Sequence, residues 1–167
     1  LPDPVLIIEH GLMYGDEGAV PADDLDYGVP YGRAAVLREG HDVTVATYLL
    51  GCRLAMRAAD ELAAEGLSVE VLDLRTLDYV GMDYDALGAS VAKTGALLTV
   101  EYAPRSLALA GRIADEVQAR FFDLLDAPVA HVTALDVPPP VSRVLESAVL
   151  PDVPRVKDAI RALAHRS

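Results

Sequence analysis

The feature that most restricts what this chain can fold into is a repeated exchange between two hydrophobic periods. Short apolar, β-branched runs (AAVL, VTVATY, SVEVLDLRTL, ALLTVEY and DAPVAHVTALD) are separated by stretches in which apolar residues recur at helical spacing. Val43, Val45 and Thr47 alternate with Thr44, Ala46 and Tyr48, a pattern expected of a central strand. The next stretch sets Leu54, Met56, Ala58, Ala59, Leu62 and Ala63 along a helix stopped by Gly66. A second carries Met82, Leu87 and Val91 and stops at Gly95. Leu109, Ile113, Val117 and Phe121 follow at intervals of four, and Val156, Ile160 and Leu163 share a face near the C-terminus. Strands that alternate with helices must be joined by crossovers. The expectation is therefore an α/β fold: a three-layer open sheet, mostly parallel, with helices on both faces.

The first 32 residues do not follow this rhythm. Val5 to Ile8, behind a Pro-Asp-Pro turn, read as a strand buried on both faces. The chain starts at Leu1 without an initiator Met, so the expectation is either processing or the back half of something longer. MYGDEGAVPADDLDYGVPYG is rich in Gly, Pro and Asp and reads as a linker. The expected division is residues 1–10 as the tail of a preceding domain, 11–32 as linker and 33–167 as the main domain.

Composition excludes several classes of function. Fourteen basic residues against 26 acidic ones give a formal charge of −12, which repels a phosphate backbone, so no nucleic acid is expected. The same charge suits solubility or a basic protein partner. Apolar residues make up 52% of the chain, yet no run approaches the ~18 residues of a membrane span, and no membrane association is expected. Nothing resembles a secretory signal, which makes a cytoplasmic setting the expectation.

Chemistry-bearing motifs are scarce. No dinucleotide or Walker glycine pattern occurs, and no Ser sits in a nucleophile elbow. The lone Cys52, at a strand-to-helix junction beside Arg53, reads as packing. His10, His41, His131 and His165 have no spacing suited to zinc. Glu101 is the exception in interest: it ends an apolar strand at the carboxyl edge, where open α/β sheets place their sites. A capping or salt-bridge role with Arg105 is the preferred reading. No catalytic, cofactor-binding or metal-binding residue is assigned.

Several stretches, taken in order, resemble one known family: DPVLIIEH, YGVPYGRAAVLREGHDVTVATY, VEVLDLRTL, VAKTGALLTVEYAPR, FFDLLDAPVAHVT and DVPPPVSRVLESAVLPDV. They are similar to the C-terminal half of the β subunit of thiamine-diphosphate-dependent 2-oxoacid dehydrogenases, the first component of the pyruvate, branched-chain and acetoin complexes. The resemblance implies that DPVLIIEH is the last strand of a pyrimidine-binding domain and that the rest is a transketolase C-terminal-like domain. It further implies a parent enzyme that uses thiamine diphosphate and magnesium. The glutamate that activates the thiamine ring would lie upstream of Leu1 and the diphosphate-binding half on an α subunit, leaving this portion without cofactor or activity of its own.

By the same resemblance the expected role is assembly, within an α2β2 tetramer containing a second β subunit, and capture of the basic subunit-binding domain of the acyltransferase component. In the family's L-[D/E]-A-P-V stretch the acidic residue meets that domain; here it is Asp126, with Asp123, three positions earlier and so expected on roughly the same helix face, as a helper. Asp126 reads equally as a helix-to-strand turn residue. Two departures stand out. The family's glycine-rich run after E-x-A-P-R is Arg105 to Gly111 here with one glycine left, and Leu49 follows Tyr48 where a glycine is commoner. Two other readings compete: a free-standing binding module of the same fold, and the same domain of another thiamine enzyme such as transketolase or deoxyxylulose-phosphate synthase.

Overall fold

The computed structural model describes residues 4–165. Five strands form one sheet in the order β1-β3-β2-β4-β5, where β1 is Ala35–Arg38, β2 Val43–Thr47, β3 Val69–Asp73, β4 Leu97–Pro104 and β5 Ala130–Ala134. β2, β3, β4 and β5 pair in parallel, and β1 alone runs antiparallel on the edge beside β3. The expected mostly parallel sheet is thus present, with β2 at its centre. Helices α1 (Leu50–Ala63) and α5 (Val153–Ala164) cover one face; α2 (Tyr84–Thr94) and α3 (Ala110–Phe121) cover the other.

The alternation along β2 decides which side chain enters which layer. Val43 and Val45 join Ala55, Ala58, Leu62, Val156 and Ile160 on the α1/α5 side, whereas Ala46 joins Leu87, Val91, Ile113 and Val117 on the other. All five residues of β2 are buried, as both faces of a parallel strand must be. Thr44 points into the α2 layer, and its hydroxyl is satisfied there by Ser90 Oγ and Thr94 Oγ1, each at 2.8 Å. α2 is delimited as its sequence dictates. Asp83 accepts the Ala86 N–H at its start, and Gly95 closes it in the left-handed region at φ 66°.

α1 begins so close to the sheet that a Cβ on Gly51 would stand 1.9 Å from Thr47 Oγ1 and 3.0 Å from the Val100 carbonyl oxygen. The chain reaches this position through Leu49 at φ 49° and ψ −129°, a backbone conformation natural to glycine. The sequence departure at Leu49 therefore carries a structural cost.

Three points differ from the sequence reading. Val5 to Ile8 make no strand: Leu6 and Ile7 are 91% and 85% exposed, because a strand exists only through a neighbour's ladder and none runs beside these residues among those described. The short helix α4 (Arg143–Val149) was not anticipated in SRVLESAV, and it buries none of its residues. Asp123 and Asp126 do not share a helix face either. α3 ends at Phe121, a 3-10 turn spans Phe122–Leu124, and Asp126 lies beyond it.

Leu49→Gly is expected to raise unfolding stability by about 1 kcal/mol, the lower end of the usual cost of such a conformation after the loss of leucine packing. Leu49→Val, stiffer at the same position, should lower it. Urea denaturation of the three proteins checks this, and equal midpoints would mean that the turn carries no strain.

Candidate functional site

Two clusters lie at opposite ends of the sheet. At the amino end, Gly95 and Asp126 stand just before β4 and β5. The Asp126 N–H donates to the Gly95 carbonyl at 2.8 Å, which joins the turn after α3 to the end of α2. The Asp126 carboxylate leans over Gly95, so that a Cβ there would come within 2.1 Å of Oδ2. This is the partial-negative end of α2, where a carboxylate is electrostatically disfavoured. Asp126 and Asp123 are both exposed, and neither takes part in any ion pair among the described residues. The backbone bond serves the turn, and any residue but proline could make it.

At the carboxyl side of β4, Glu101 is 2% exposed and ties three elements together. Its Oε2 accepts the Tyr48 hydroxyl at 3.0 Å and the Leu109 N–H at 2.9 Å, capping α3, whose N-cap Leu109 has no side-chain oxygen of its own. Oε1 is buried without a partner among the described residues. Burial pushes the carboxyl above its ordinary range, opposed by the hydrogen bonds from Leu109 and Tyr48. Of the two sequence explanations the cap is realised and the ion pair with Arg105 is not. Arg105 to Leu107 form an exposed turn, pinned where Asp136 Oδ1 accepts the Ser106 N–H at 2.9 Å and its hydroxyl at 2.8 Å.

Cys52 lies near the carboxyl end of β3 against Asp73. Burial, with the neighbouring carboxylate second, pushes its thiol up to about 12, so it is protonated and a poor nucleophile at neutral pH. The histidines remain apart: His131 bonds Thr99 Oγ1 at 2.8 Å, and His10 accepts the Leu12 N–H. Among the described residues no group of three or more His, Cys, Asp or Glu is placed to hold a metal, and no helix is long and apolar enough to cross a membrane.

One polar centre escaped sequence reasoning. Glu70, the second residue of β3, is 1% exposed and is bonded by Ser90 Oγ and the Lys93 ammonium, which also reaches Glu39 at 2.6 Å. The signal was available, since a glutamate inside the apolar run SVEVLDL must find a cation or leave the strand. Its cation lies 23 positions away on another element, out of reach of pattern reading.

Known proteins resemble the chain as a whole in sequence and fold. The family profile described as transketolase, C-terminal domain, matches residues 32–156. The chain is 39% identical over 165 residues to the pyruvate dehydrogenase E1 component subunit beta of Rhizobium meliloti (strain 1021), covering 99% of this chain and 35% of that protein. It is 36% identical over 168 residues to the mitochondrial subunit beta-1 of the same component from Arabidopsis thaliana, covering 99% and 46%. A solved structure titled split gene transketolase, inactive beta4 tetramer, superposes with a TM-score of 0.71 at 26% identity, over 89% of this chain and 47% of the other. The chain thus spans less than half the length of these relatives.

Because the folded protein holds the Glu101 proton more tightly than the unfolded chain, its contribution is complete below the ordinary carboxylate range and is lost as pH rises through the raised value. Each unit by which the carboxyl is raised is ~1.4 kcal/mol. Glu101→Gln is expected to gain stability relative to the parent as pH goes from 4 to 7. Denaturation curves for both proteins across that range test it, and a difference that stays flat overturns it. In fold, residues matched and sequence, the chain belongs to the transketolase C-terminal domain family.

Proposed function

We propose that this chain is the assembly and partner-binding domain of the β subunit of a 2-oxoacid dehydrogenase. In this reading the parent enzyme oxidatively decarboxylates a 2-oxoacid and passes the acyl group to lipoyl on the acyltransferase component, in a cytoplasmic setting. The similarity to pyruvate dehydrogenase E1 beta subunits over nearly the whole chain supports it. Residues 1–10 then belong to the preceding pyrimidine-binding domain, 11–32 are the linker and 33–167 the C-terminal domain. The exposed leucine and isoleucines at 6 to 8 fit a strand whose neighbours lie in that other domain.

The proposed cofactor of the parent is thiamine diphosphate with magnesium. The described residues do not fit it: they offer no carboxylate cluster for the metal, and the buried carboxylate Glu101 is engaged as a helix cap. The cofactor is therefore assigned to other parts of the enzyme, and no chemical step is assigned to this domain.

The observation that carries the partner reading is the unneutralised Asp126 carboxylate over the C-terminus of α2. A charge held where it gains nothing from its own fold is available to a cation on another protein, here the basic subunit-binding domain of the acyltransferase, with Asp123 assisting from the adjoining turn. The α subunit and a second β subunit complete the proposed assembly.

Asp126→Lys in the assembled enzyme is expected to weaken capture of the subunit-binding domain by at least about tenfold, as for loss of a close interfacial charge pair. Decarboxylation of free 2-oxoacid should be unaffected, and the fold should persist because a cation suits this end of α2. Calorimetric titration at low salt decides the matter; unchanged affinity sinks the role of Asp126.

A further inference from the structure

From β2 the chain crosses to β3 on one side, and from β4 it crosses to β5 on the other, so the sheet order reverses between the carboxyl ends of β2 and β4. Open α/β sheets have their crevice at such a point. Here one buried side chain bridges it. Glu101 on β4 reaches the Tyr48 hydroxyl, just beyond β2, and the Leu109 N–H at the start of α3.

The bridge differs from an ordinary helix cap in two ways. Both bonds fall on Oε2, while Oε1 is buried with no donor among the described residues. A neutral carboxyl leaves a hydroxyl there; an ionised one leaves part of a charge, which costs far more to bury. The groups acting on the carboxyl all favour its ionised form: the Leu109 and Ala110 N–H groups and the Arg112 guanidinium from the first turn of α3, and the Tyr48 hydroxyl from the β2 side. Burial outweighs them. The second difference is that the bridge holds a short segment with firm anchors only at its ends. Ser106 is pinned by Asp136, and Ile113 is buried in the α2/α3 layer. Between them Leu107 and Gly111 are exposed, Leu109 supplies no side-chain cap, and Arg112 donates to the Leu77 carbonyl at 2.5 Å with its Nε buried and unpartnered.

We propose that Glu101 is a pH-sensitive latch on this crevice: neutral, it holds residues 107–112 closed against Tyr48, and ionised, it lets them open to water. Opening exposes the carboxyl to solvent, where it gives up its proton at the ordinary carboxylate value. The closed form therefore binds the proton more tightly than the open one. Opening is rarest below the ordinary range, becomes up to about tenfold more frequent with each pH unit above it, and levels off once the closed form also ionises. The anchors at Ser106 and Ile113 confine the movement to the first turn of α3 and the residues just before it.

The experiment uses the full-length protein that carries this domain. Amide hydrogen exchange of residues 107–112, with β2 as reference, is followed by mass spectrometry between about pH 4 and 7 and in low urea, after correction for the intrinsic pH dependence of exchange. The expected result is that 107–112 exchange faster than β2 and with a weaker dependence on urea, as a local opening must. Their opening should rise with pH in the parent and stay flat in Glu101→Gln, which keeps a cap without a titrating group. Tyr48→Phe removes a bond that favours the ionised form, so the rise should extend to higher pH; this variant decides the matter if Glu101→Gln does not fold. Exchange of 107–112 in step with β2 at every urea concentration overturns the proposal, because Glu101 then acts only on global stability. Opening that is independent of pH in the parent overturns it too, as does a rise that survives in Glu101→Gln.

Discussion

Everything in this domain is referred to the paired ladders of β2. Its backbone bonds β3 on one side and β4 on the other, and its side chains enter both helical layers in turn. A strand placed like this leaves no polar group to water, so each polar atom it carries needs a partner inside the protein. Thr44 shows how that is met: its hydroxyl fixes the last turn of α2 through Ser90 and Thr94. The Glu70–Ser90–Lys93 contacts continue the same arrangement onto β3. The helix is located by apolar burial and aligned along the sheet by these bonds.

The two ends of the sheet are used differently. At the carboxyl side, Glu101 spends its charge internally, holding Tyr48 and the start of α3 at the expense of an oxygen without a partner. At the amino side, Asp126 spends only its backbone N–H internally and keeps its carboxylate free. One acid serves the fold and the other is spare, a distinction invisible in the residue type and set by which end of a helix each one meets.

Sequence reasoning was most reliable where the physics is local. Gly66 and Gly95 take positive φ after their helices, and Ala58, Ala59 and Leu62 of α1, Leu87 and Val91 of α2 and Val156, Ile160 and Leu163 of α5 are buried as their spacing requires, whereas Ala63 is exposed. It was least reliable where a residue's fate depends on a neighbour from afar. Val5 to Ile8 have strand composition and no strand beside them among the described residues, and α4 is a helix that leaves Val144 and Leu145 exposed. The departure at Leu49 was noticed as unusual, but its meaning came only with φ 49°. Glu101 stands at the end of an apolar run, although β4 continues to Pro104, and the choice of cap over ion pair needed the position of Leu109.

The sequence by itself determined the class of fold, the central place of β2 and the stops of the helices. Each follows from periodicity, backbone preference or the identity of side chains, and these act over a few residues. Only the tertiary structure decided that β1 pairs with β3 in the antiparallel sense, that Glu70 finds Lys93, and that Asp126 stands uncompensated at the end of α2. These depend on distances between residues remote in the chain. Burial and electrostatic energy are set by such distances, and no local pattern carries them.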